Sequence, residues 1–273
     1  MAHLIADDIT LQFPLHSKAQ VQADSDDSGV DDRLITNSRG RIVGIQALRN
    51  INFSLNEGDR LGLIGQNGSG KTTLLQVLAE IMVPDAGTLT IEGRSTNLLN
   101  INLGMQPGAS ADRNITLRGL AAGHSLAAID QCRVEIIDFA QLGEFAHMPV
   151  ETYSAGMRMR LNYAIATAFQ PEILILDEWL STGDIAFRER ATARMKQFVD
   201  QAGILILASH SEKLLKDNCN RAIWLDQGRI RADGDVNDLW EAYAAEQKKR
   251  VDEDARLRAP EHDPTPANKT AAT

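Results

Sequence analysis

LGLIGQNGSGKTT, residues 61–73, is the stretch on which the fold turns. An aliphatic run, Leu61 to Ile64, leads into Gly65, Gly68, Gly70, Lys71 and Thr72 in the spacing GxxxxGK[ST], and the helical run TTLLQVLAEIM follows. A strand, a glycine-rich turn and a helix in that order make a phosphate loop. The glycines let the backbone curl until its N–H groups converge on phosphate oxygens, and the helix turns its positive end to the same charge. Gly65, Gln66, Asn67, Gly68, Ser69, Gly70, Lys71, Thr72 and Thr73 are the expected nucleotide-binding residues. Lys71 is placed against the β and γ phosphates, and Thr72 holds magnesium through its hydroxyl.

A magnesium nucleotide needs a second anionic ligand. ILILDEWL supplies Asp177 at the end of a buried strand, where its carboxylate reaches the C-terminal edge of a parallel sheet. Glu178 follows at once and is placed to polarise an attacking water while Asp177 manages the metal. His210, in ILILASHSE, ends a third aliphatic strand, where an imidazole can reach the γ-phosphate and orient the water. In YSAGMRMRLNYAIA, Ser154 is a natural N-cap that leaves a helix N-terminus open to phosphate. Serine-capped helices are commonplace, so this segment acquires meaning only beside the others.

Outward from these motifs, residues 59–225 alternate between short buried-strand runs and helical stretches, the pattern of an α/β domain with a largely parallel sheet. Unbroken aliphatic strands fit a sheet covered on both faces. Residues 3–13 and 42–55 read as strands. Between them, residues 16–41 are polar and acidic, with Asp24, Asp26, Asp27, Asp31 and Asp32, and read as a loop: either a plain surface insertion or a regulatory or partner-contacting one. Residues 1–245 form the expected domain, and residues 246–273 shift to charge and then to Pro, Ala and Thr, the composition of a helix extension fraying into a disordered tail. Both the insertion and the tail beyond Tyr243 are expected to be dispensable for hydrolysis.

Composition sets bounds on the partners. Thirty-seven acidic against 28 basic side chains give a formal charge of -9, which repels nucleic acid and leaves only local basic patches to attract it. The two cysteines, Cys132 and Cys219, lack a CxxC spacing, which argues against zinc and fits a reducing compartment. No apolar run approaches the roughly 18 residues that span a bilayer, and no signal-peptide pattern opens the chain. The expected location is cytosolic or on the cytosolic side of a membrane.

The order phosphate loop, YSAGM, aspartate–glutamate strand end and strand-end histidine resembles the ATP-binding cassette subunit of ABC transporters over about residues 3–245. FPLH at Phe13 to His16, YSAGM and DEWLSTGD at Asp177 to Asp184 resemble the branch that exports polysaccharides such as O-antigen or teichoic acid. The resemblance implies a P-loop cassette with a mostly parallel core sheet, an N-terminal antiparallel β subdomain and a helical subdomain carrying the signature. It implies ATP and Mg2+ as cofactors. It assigns Ser154, Ala155 and Gly156 to the γ-phosphate held by a second cassette, Asp184 to the loop joining the two sites, and Phe13 to stacking on adenine. Phe13 also fits a core position.

The sequence departs from the family at Ala155, where most cassettes carry glycine, and after the strand preceding LLNINLGMQPGASADRNI, where the usual glutamine is missing. Register with the export branch puts Asn100 in that glutamine's place as a magnesium ligand; Gln106 is its rival. The resemblance further implies a homodimer on an integral-membrane permease of the ABC-2 type, peripheral on the cytoplasmic face of the inner membrane. Longer members bind sugar polymer through a C-terminal β-sandwich, and about 30 residues follow the cassette here, so direct polysaccharide binding by this subunit is not expected. Competing readings are the ATPase of an importer or drug exporter, or a soluble cassette ATPase acting on nucleic acid or ribosomes.

Overall fold

A computed structural model describes residues 2–15, 32–99, 101, 104–178 and 185–258. In chain order the elements are β1 (His3–Pro14), β2 (Leu34–Thr36), β3 (Ile42–Asn56), β4 (Arg60–Ile64), α1 (Lys71–Leu78), β5 (Ala86–Glu92) and β6 (Ser95–Asn97). There follow α2 (Ala111–Ala121), α3 (Leu126–Ala140), two short 3₁₀ turns, α4 (Ala155–Ala166), β7 (Ile173–Asp177), α5 (Ile185–Asp200), β8 (Ile204–Ala208), α6 (Glu212–Asn218), β9 (Arg221–Asp226), β10 (Arg229–Asp235) and α7 (Val236–Arg258).

Two sheets result. The six-stranded one runs β10-β9-β4-β8-β7-β6, parallel at every pairing except β9 with β10. The four-stranded one runs β2-β3-β1-β5 and is antiparallel throughout. Successive strand side chains point to opposite faces, and the aliphatic runs use this to feed two cores. Ile173, Ile175, Ile204 and Ile206 pack with Leu74, Leu75 and Leu78 of α1 and with Leu4, Ile9, Leu48 and Ile51 of the antiparallel sheet. Leu174, Leu176, Leu205 and Leu207 face the other way, onto Phe187, Met195 and Phe198 of α5 and Tyr163 of α4. A third core, from Ile115, Ile129, Ile136 and Leu161, holds α2, α3 and α4 together as a helical unit. The α/β fold with a mostly parallel core sheet, an antiparallel β layer and a helical part is the one expected.

Two boundaries move. Leu34–Thr36, inside the stretch read as a loop, pairs with β3 through Leu34 opposite Ile45 and Ile35 opposite Gly44. The acidic run dominates the composition there and hides a hairpin. Asn37 closes it, its side-chain oxygen accepting from the N–H groups of Arg39 and Arg41 at 2.9 and 3.1 Å, and Gly40 supplies a φ of 71°. At the other end, residues 246–258, placed in the tail that a helix extension is expected to enter, continue helix α7 through Arg258. Charges that look solvated in the sequence are paired: Arg231 forks onto Glu246 at 2.6 and 2.7 Å, and Arg250 reaches Glu246 at 3.0 Å. Tyr243 meets Trp224 edge-on, with centroids 5.4 Å apart. Residues 16–31 and 259–273 lie outside the described residues.

Candidate nucleotide site

Register gathers the site. Leu63 of β4 stands opposite Ala208 of β8, and Ala208 stands opposite Asp177 of β7, so three parallel strands end level. The loop after β4, the Asp177–Glu178 pair and the Ser209–His210 pair therefore meet at one carboxyl edge, where open parallel sheets place their ligands.

Glycine is required where the loop leaves β4. Gly65 has a φ of 148°, and a Cβ there would lie 2.3 Å from the Leu225 carbonyl oxygen and 2.6 Å from Ser69 Oγ. Gly70, at φ 108°, caps α1 directly. The loop is held from outside as well: the Gly228 N–H donates to Ser69 O at 2.9 Å, and the Arg49 N–H donates to Gly228 O at 2.7 Å. Ser69 Oγ is buried without a hydrogen-bond partner among the described residues.

Lys71 curls back over the loop, its Nζ donating to Gly65 O at 2.6 Å and to Gln66 O at 3.1 Å. Burial holds its ammonium below the ordinary lysine range, and the carboxylates of Asp177 and Glu178 oppose that shift. Thr72 Oγ1 donates to Asp177 Oδ2 at 2.9 Å. A hydroxyl and a carboxylate so converged are hard oxygen donors of the kind magnesium takes beside phosphate oxygens.

Glu178 adopts φ 65°, a left-handed conformation that costs a non-glycine residue roughly 1–2 kcal/mol. The neighbouring strand holds it there. Its N–H donates to Ala208 O at 2.9 Å, and its Oε1 accepts from the His210 N–H at 3.0 Å. The twist turns the carboxylate away from β7 and toward the end of β8.

Phe13, Asn67, Gly68, Gly70, Lys71, Thr72, Thr73, Asp177, Glu178 and His210 line one cleft of about 310 Å³. Ser154, Ala155 and Gly156 do not line it. They open α4 on an exposed surface, with Ser154 Oγ accepting from the Met157 N–H at 3.2 Å. Gln106 is also away from the cleft: its side chain is exposed, and its backbone is clasped by Asn114, whose Oδ1 accepts from the Gln106 N–H at 2.7 Å. Asn100 and Asp184 lie outside the described residues.

Sequence reasoning missed Arg33, Ile45 and Ala47 in the cleft wall, and Gln247, whose Oε1 accepts from Gln66 Nε2 at 2.7 Å. Arg33 and Gln247 belong to the two stretches read as expendable, and neither carries a motif.

The sequence profile of the family described as ABC transporter matches residues 48–181. The chain is 40% identical over 231 residues to the O-antigen export system ATP-binding protein RfbE of Yersinia enterocolitica, covering 84% of this chain and 97% of that one. It is 39% identical over 197 residues to the teichoic acids export ATP-binding protein TagH of Bacillus anthracis, covering 72% of this chain but 36% of that one, so it spans about a third of that relative. A solved structure described as the ATP-binding subunit of an ABC transporter superposes with a TM-score of 0.63 at 19% identity, covering 88% of this chain and 93% of the other; this likeness is one of fold.

Proposed function

The chain belongs to the ABC transporter ATP-binding family and is a nucleotide-binding, ATP-hydrolysing cassette, and on that premise we propose that it energises export of a polysaccharide through a separate membrane permease. The cargo class is a lipid-linked glycan of the O-antigen, teichoic acid or capsule kind. The observation that carries this reading is the 40% identity to an O-antigen export ATP-binding protein over 97% of that protein's length. No helix among the described residues is long and apolar enough to cross a membrane, which suits a subunit working with a permease, of the ABC-2 type, at the cytoplasmic face of the inner membrane.

In this reading the loop amides and Lys71 bind the β and γ phosphates of ATP, and Phe13 stacks on adenine. Thr72 and Asp177 would hold magnesium, with Asn100 as a third ligand, and an ion bound there would supply neutralisation of the phosphate charge. Glu178 takes a proton from the attacking water as its oxygen bonds to the γ phosphorus and ADP leaves, and His210 orients that water. Ser154, Ala155 and Gly156, exposed and outside their own cleft, present the N-terminus of α4 to the γ-phosphate of a second copy. Asp184 joins the two sites, so the working unit is a homodimer.

Deleting the gene tests the cargo. Lipid-linked polymer should accumulate on the cytoplasmic side, and the wild-type chain but not Glu178→Gln should release it. Normal polymer at the cell surface in the deletion strain would overturn the export reading.

A further inference from the structure

Arg33 lies beside the phosphate loop without being part of any motif. Its Nη1 donates to the Gly68 carbonyl oxygen at 2.6 Å, and it lines the same cleft as Phe13, Lys71 and Glu178. The backbone that carries it is pinned from two directions. The Gln46 N–H of β3 donates to Arg33 O at 2.8 Å. The neighbouring Asp32 carbonyl accepts from Arg49 Nη1 at 3.2 Å, and Arg49 is itself buried, 4% exposed, with Nε and Nη2 fixed on Gln227 O at 3.1 and 2.8 Å. The turn at Gln227–Gly228 thus supports both the phosphate loop, through Ser69, and the segment that delivers Arg33.

Electrostatics gives this placement a use. Asp177 and Glu178 put two negative charges in the cleft lining, and the lysine and arginine there are Lys71 and Arg33. Lys71 alone is outnumbered by the two carboxylates, and Arg33 adds a second cationic side chain to the same lining. A carbonyl oxygen is a neutral acceptor, whereas a phosphate oxygen makes a charge-assisted bond about twice as strong and can take a guanidinium bidentately. Arg33 therefore exchanges its bond to Gly68 for a stronger one once a phosphate chain occupies the loop.

We propose that Arg33 is a phosphate-contacting residue of the nucleotide site, its guanidinium binding the polyphosphate chain alongside Lys71. The stretch of the 16–41 insertion that carries Arg33 thereby becomes part of the binding site. This rests on nucleotide binding at the phosphate loop and is independent of the cargo.

The test measures affinities of the full chain for MgATP and for inorganic tripolyphosphate, which has no base or ribose. Arg33→Ala should weaken both by about tenfold, the loss of one charge-assisted bond, and Arg33→Lys, which keeps the charge without the fork, should recover part of it. The salt dependence of binding should flatten in Arg33→Ala, an effect that removing a mere prop for Gly68 would not produce. Affinities within twofold of wild type for both ligands would overturn the proposal, as would a loss for ATP with none for tripolyphosphate, which would move Arg33 to the base or ribose. Lys71→Ala serves as the control: if it binds both ligands normally, the phosphate-loop reading fails before Arg33 is judged.

Discussion

Gln247 of α7 accepts a hydrogen bond from Gln66 of the phosphate loop at 2.7 Å, tying the C-terminal helix to the nucleotide site. The bond sits beside the Arg231–Glu246–Arg250 cluster that fastens the same helix to β10, so these turns of α7 brace the loop rather than trail from it. A chain ending at Arg258 should keep its ATPase rate within about twofold of the full chain, since a terminal stretch rich in Pro, Ala and Thr adds little to a folded core. A chain ending at Ala245 loses Glu246, Gln247 and Arg250 together and should melt several degrees lower with slower turnover. Equal melting temperatures for the two truncations would show that the brace contributes nothing.

Lys71→Ala should abolish hydrolysis. The ammonium makes two bonds to the loop's own carbonyls in a buried position that already disfavours its charge, an arrangement worth keeping only for an anionic ligand. Losing a charge-assisted contact weakens ATP binding by about 1.5–3 kcal/mol before any effect on the chemical step. A phosphate-release assay reads the outcome, and turnover near the wild-type rate would remove Lys71 from the mechanism.

Two loop glycines should respond differently to alanine. At Gly65 a methyl group collides with the Leu225 carbonyl and Ser69, so Gly65→Ala should displace the loop and lose ATP binding. At Gly68 a Cβ meets nothing within 4 Å and the cost is the φ of 78° alone, about 1–2 kcal/mol. Gly68→Ala should fold and melt about 2–4 °C lower. Thermal unfolding with and without nucleotide separates the two, and identical behaviour would contradict the packing argument.

The parallel sheet and the cleft's motif residues are legible in the sequence because their signals are local. Ile173 to Leu176 and Ile204 to Ala208 announce buried strands by composition alone, and the carboxylate and imidazole at their ends inherit positions from the sheet. Arg33 and Gln247 are not legible. Each reaches the loop by long-range pairing, Arg33 through Gln46 of β3 and Gln247 through the packing of α7 on β9 and β10, and each sits in a stretch whose average composition is that of solvated chain. Averages over an acidic or basic run conceal the residues in it that find partners.

Cys219 should resist alkylation in the native protein. It is buried against Gly62 of β4, and burial pushes its thiol up to about 12, so almost no thiolate exists at neutral pH. Cys132, half-buried on α3, is raised as well by burial but is the more accessible of the two. Mass spectrometry after brief iodoacetamide treatment at pH 8 should find adduct on Cys132 ahead of Cys219; the reverse order would misplace α6 and β9.

Ser154, Ala155 and Gly156 do not line the cleft of their own phosphate loop, and the proposal that a second copy completes the site is tested most directly by Glu178→Gln, which keeps the backbone and removes the proposed base. Light scattering of this variant at micromolar concentration should show a dimer with ATP and magnesium, a monomer without them, and no phosphate release in either case. A variant that stays monomeric with MgATP, or that hydrolyses it at the wild-type rate, would contradict the account.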